Sequence, residues 1–84
     1  MSLTQLAYEI LEQLPLSDVK KAAKEFGLSH YYFKQKIKSI DTDINVLYRA
    51  VECMINVHNI KDNEIKELHK IFLNQFKIHL KANN

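Results

Sequence analysis

The sequence predicts an all-α protein, a compact bundle of about five helices. Three observations carry that expectation. One glycine and one proline in 84 residues leave too little turn chemistry for the hairpins of a sandwich or barrel. Apolar residues recur at helical spacing along nearly the whole chain. An apolar content of 46% beside 26% charged residues is a globular composition, which sets aside disorder and low-complexity architectures.

The first helix is read from Leu3, Leu6, Ala7, Ile10, Leu11 and Leu14, which share one face before Pro15 ends the run. Ser17 is placed to cap a second helix of about ten residues, with Asp18 in its first turn. Val19, Ala22, Ala23 and Phe26 form its apolar stripe, and Gly27 falls where a helix end takes a left-handed residue. Ser29 caps a third helix running from about His30 to Ile40, with Leu28 and Phe33 at the spacing of a hydrophobic staple. Phe33, Ile37 and Ile40 make its inner face, so at about 100° per residue Tyr31, Lys34, Gln35 and Lys38 point outward.

Asp41, Thr42 and Asp43 supply caps for a fourth helix reaching Val57. Its main face is Ile44, Leu47, Tyr48, Val51, Met54 and Ile55, and Val46, Ala50, Cys53 and Val57 add a second. A helix apolar on most of its circumference belongs at the centre of a bundle. Asp62 or Asn63 caps a fifth helix to about Lys81, whose core face is Ile65, Leu68, Phe72, Phe76 and Leu80.

At this length residues 1–84 read as one helical domain, with a C-terminal helical hairpin over 42–82 as its dimerisation part. No apolar run approaches the ~20 residues of a membrane span and no signal-peptide pattern opens the chain. The lone Cys53 has no disulfide partner, so a reducing, cytoplasmic setting is expected. Phosphate loops, nucleophile elbows and paired-carboxylate constellations are all missing, which points to a protein that is not an enzyme and takes no cofactor. His58, His69, His79 and Cys53 do not have zinc-ligand spacing, so no metal is expected. Cys53 stands among apolar positions and reads as a packing residue.

The formal charge of +2 conceals a strong asymmetry. Residues 17–40 carry six lysines against Asp18 and Glu25, a local +4, between segments 1–16 and 41–60 of −2 each; the last segment carries +2. A basic block of this kind points to an anionic partner.

The stretch AAKEFGLSHYYFKQKIKSI, Ala22 to Ile40, resembles the Fis-type helix-turn-helix of prokaryotic DNA-binding proteins. The shared pattern is paired alanines, an apolar residue then glycine, an aliphatic residue then serine, an apolar residue four further on, and lysine-aliphatic-lysine. The resemblance implies a helix-turn-helix over residues 17–40 whose second helix enters the major groove of double-stranded DNA. It implies groove or phosphate contacts from Ser29, His30, Tyr31, Tyr32, Lys34, Gln35, Lys36 and Lys38. Lys20, Lys21 and Lys24 are candidates for supplementary phosphate contacts. Lysines supply salt-dependent affinity, whereas a residue such as Gln35 reads a base edge. The expected function is a small DNA-binding transcriptional regulator of bacterial or phage type.

This chain has Tyr31 and Tyr32 where the family usually has a small residue and threonine, and its third helix holds no arginine. About 44 residues follow the motif, which in the family tends to close the chain. A basic helix with two tyrosines also suits a protein partner, so the alternative is a small adaptor or inhibitor using the Tyr31–Tyr32 surface. On the fifth helix, Lys66, Lys70, Lys77 and Lys81 form a solvated or phosphate-contacting stripe. Ile71 and Ile78, seven apart and off the core face, suit the seam of a homodimer or contact with another internal helix.

Overall fold

A computed structural model describes residues 2–58 and 63–82. It contains five helices: α1 (Leu3–Gln13), α2 (Leu16–Phe26), α3 (His30–Lys38), α4 (Ile44–Val57) and α5 (Asn63–Ala82), with no strand among the described residues. The all-α bundle read from the sequence is the observed architecture.

Helix α1 opens with a reciprocal cap that the sequence reading missed. The Gln5 N–H donates to Ser2 Oγ and the Ser2 N–H donates to Gln5 Oε1, both at 3.1 Å. Its six expected apolar residues, Leu3 to Leu14, are all buried. Leu14 is extended, as the residue before a proline prefers.

Helix α2 begins earlier than expected, and Ser17 is not its N-cap. Pro15 takes that position, its carbonyl accepting from the N–H groups of Asp18 and Val19 at 3.0 and 3.1 Å. A proline flanking a helix start forfeits no intrahelical bond, and its fixed φ suits the entry, so Ser17 is drawn into the first turn. The other end of α2 closes as expected. Gly27 has φ +100°, its N–H reaches the Lys24 carbonyl at 3.2 Å, and the Leu28 N–H reaches the Ala23 carbonyl at 3.0 Å. This paired closure is the Schellman motif.

Helix α3 starts at the expected cap, with the Tyr32 N–H donating to Ser29 Oγ at 3.4 Å. It stops at Lys38, two residues short of expectation. The Thr42 hydroxyl donates to the Lys36 carbonyl at 2.6 Å, satisfying an end carbonyl that a longer helix would have used. Ile40 therefore lies beyond the helical phase, and it is 89% exposed rather than part of the inner face.

Asp43 alone of the three expected residues caps α4, accepting from the Asn45 N–H at 2.8 Å. As its double apolar face suggests, α4 packs on all four other helices, most extensively on α2. Ala22, Ala23 and Ala50, all buried, keep these two backbones close. Helix α5 packs chiefly on α1 and less on α4. Tyr48 stacks on Phe76 with centroids 4.7 Å apart. Leu80, expected in the core, is 39% exposed. A helix of 20 residues outruns one of 11 by about 13 Å, so its last turn has little left to cover it. The expected cap Asp62 lies outside the described residues, and Asn63 is the first residue of α5.

Candidate nucleic-acid interface

Three helices seat α3. Phe33 and Ile37 are fully buried, and α3 packs against α1, α2 and α4. The Phe26 and Phe33 rings meet edge to face at 5.4 Å, joining α2 to α3 across the Gly27 turn. Arg49 on α4 lies over Phe26, its guanidinium carbon 4.3 Å from the ring centroid, and also donates from Nη2 to the Phe26 carbonyl at 3.4 Å. Phe33 and Ile37 fix which face of α3 turns inward, and the Arg49–Phe26 contact braces the turn that leads into it.

The residues that this seating leaves uncovered are Ser29, His30, Tyr31, Tyr32, Gln35, Lys36 and Lys38, all exposed. Tyr31 and Tyr32 are 61% and 64% exposed and contact each other edge to face at 5.5 Å. Neither is sunk against a neighbouring helix. Lys34 departs from the expected outward position: it is half-buried on the α1 side. There Lys34 and Lys38 line a cleft of ≈ 220 Å³ with Tyr8, Leu11 and Glu12. Lys38 Nζ stands 5.3 Å from the Tyr8 ring centroid. The neighbouring Glu12 carboxylate, with some burial, pushes the Tyr8 phenol up from its ordinary value of 10.0.

The opposite flank of α3 has a different character. Tyr32, Gln35 and Lys36 border an open groove of ≈ 630 Å³ together with Leu28, Asp41, Asp43 and Val46. The expected interface therefore divides into a side toward α1, where Lys34 and Lys38 stand with Glu12, and a side where Lys36 shares a groove with the acidic wall of Asp41 and Asp43. The aspartates were read from the sequence only as helix caps; that they follow the end of α3 by three and five residues was the signal that they border it. Lys20, Lys21 and Lys24 are exposed on α2, as are Lys66, Lys70, Lys77 and Lys81 on α5. Ile71 and Ile78 are exposed at 39% and 58%.

Two histidines take up structural partners. His58 Nδ1 lies 2.8 Å from Asp18 Oδ2, tying the end of α4 to the first turn of α2. His69 Nε2 lies 3.2 Å from Glu52 Oε1, tying α5 to α4. Among the described residues no three His, Cys, Asp or Glu side chains gather in a way that would hold a metal ion. Cys53 is partly buried; burial pushes its thiol up, Glu25 and Glu52 add to the shift, and Arg49 opposes it. No described helix is long and apolar enough to cross a membrane.

Compared with known protein families, curated proteins and solved structures, the chain matches none.

Proposed function

We propose that the protein binds double-stranded DNA through α3, as a small, non-enzymatic transcriptional regulator acting in the cytoplasm as a pair of identical copies. The observation that carries this reading is the seating of α3: a nine-residue helix pinned by Phe33 and Ile37, with its outer face uncovered. With side chains an α-helix is about 10–12 Å across, which suits a major groove about 12 Å wide. Gln35, at the centre of the outer face, is the candidate for base reading, since a carboxamide pairs with both polar atoms on the adenine edge. Ser29, His30, Tyr31 and Tyr32 occupy the N-terminal turn, the part of a recognition helix that meets base edges. Lys36 and Lys38 take phosphates, with Lys34, Lys20, Lys21 and Lys24 as supplementary cations.

A mobility-shift titration against generic duplex DNA at two salt concentrations tests the reading. The expected result is affinity falling steeply with salt and lost in the Lys36→Glu/Lys38→Glu variant. A double variant that binds as tightly as the parent overturns it.

The tyrosine pair beside the groove lined by Leu28 and Val46 supports a second reading, a protein-binding adaptor. In that case Tyr31→Ala and Tyr32→Ala abolish capture of a protein partner and leave weak DNA binding unchanged.

A further inference from the structure

Helix α5 carries a second stripe on the side away from its core contacts. Glu67, Ile71, Asn74, Ile78 and Lys81 recur at alternating four- and three-residue intervals, and all five are exposed. At 100° per residue they fall within about 80° of arc, opposite the buried Ile65, Phe72 and Phe76. Neither Glu67 nor Lys81 has an ion-pair partner among the described residues. The stripe thus has an acid at one end, a base at the other, two isoleucines between them and a carboxamide at its centre.

We infer that α5 pairs with α5 of a second copy of this chain, antiparallel, about a two-fold axis beside Asn74. In that register Ile71 meets the partner's Ile78, Glu67 meets the partner's Lys81, and Asn74 meets its own copy. All three matches hold to within about 1 Å along the helix axis. A two-fold makes every pairing occur twice and closes the assembly at two chains. Parallel pairing would instead set Glu67 against Glu67 and Lys81 against Lys81, so the charge pattern selects the antiparallel arrangement. The central carboxamide pair fixes the register, as a single polar residue does within an otherwise apolar helix seam.

This inference rests on the two-copy part of the function proposed above and is independent of DNA contact. Size-exclusion chromatography with light scattering on the full chain tests it. The parent is expected at twice its chain mass of 9.9 kDa. Ile71→Glu/Ile78→Glu is expected at the single-chain mass with unchanged helical circular dichroism. Glu67→Lys raises the dimer dissociation constant roughly ten-fold at low salt, and Glu67→Lys/Lys81→Glu restores it. Because Glu67 and Lys81 are exposed, the charge variants keep the test decisive should the isoleucine variant misfold. An isoleucine variant that stays dimeric overturns the seam and leaves the two-copy reading standing. A monomeric parent overturns both, and a double charge exchange that fails to restore the dimer overturns the antiparallel register.

Discussion

Arg49 lays its guanidinium over Phe26, 4.3 Å from the ring centroid, while donating to the carbonyl of the same residue. It is the single arginine of the chain. Phe26 in turn meets Phe33, so one line of contacts runs from α4 through the last residue of α2 into the core of α3. The cation also meets the carbonyl end of α2, where the helix dipole favours positive charge. The arginine that would most readily read a guanine edge is used to brace the turn that presents α3.

Arg49→Ala is expected to lower stability by about 1–2 kcal/mol, from the lost ring contact and the lost bond to the helix end. In a domain of this size that is a fall in Tm of roughly 4–16 °C, read by thermal circular dichroism. Arg49→Lys recovers only part of it, because an ammonium lacks the flat surface that stacks on a ring. An unchanged Tm for the alanine variant would show that the strut bears no strain.

Gly27→Ala tests the turn itself. A Cβ at Gly27 meets nothing within 4 Å, so the cost is confined to holding an L residue at φ +100°. That amounts to about 1–2 kcal/mol, with Gly27→Asn milder because asparagine tolerates the left-handed region. Chemical denaturation of the three proteins should rank them Gly, Asn, Ala in falling midpoint.

Removing charge from the acidic wall should strengthen DNA binding. Asp41→Asn keeps the Asp43 cap on α4 and deletes a negative charge beside Lys36 and Gln35. A several-fold gain in affinity at low salt, shrinking as salt rises, is expected in the mobility-shift titration. Equal binding by parent and variant would mean that phosphate does not approach this flank.

Cys53 supplies a pH signature. Burial first, and then Glu25 and Glu52, hold its thiol above the ordinary 9.0. A raised value means that the folded state binds the proton more tightly. The associated stability is therefore complete below the unfolded value and is lost as pH rises through the folded one. Iodoacetamide should accordingly alkylate the native protein slowly at neutral pH, with a rate profile displaced to higher pH than that of the urea-unfolded chain. Glu25→Gln shifts the profile down and Arg49→Ala shifts it up; coincident native and unfolded profiles would contradict the assignment.

What could be read from sequence follows the range of the interaction concerned. The α1 stripe and the Gly27–Ser29 joint were legible because spacing and capping are chemistry between near neighbours in the chain. Ser17 misled because two good helix-start residues stand two apart, and the proline's fixed φ prevailed. Ile40 and Leu80 continue their helical patterns on paper, but one helix stops first and the other outruns its partner. Lys34 turns toward α1, and Arg49 reaches Phe26 across 23 residues of sequence. Both depend on which helices become neighbours, and no local period encodes that.

The unlike flanks of α3 give the surface a direction. On one flank Lys34 and Lys38 stand beside Glu12, and on the other Lys36 stands beside Asp41 and Asp43, so a rod of uniform negative charge meets more repulsion on the second side. A helix with lysines all round would accept such a rod in many poses. This one presents an uneven field, so on the DNA-binding reading proposed above the angle of a duplex would be biased during approach.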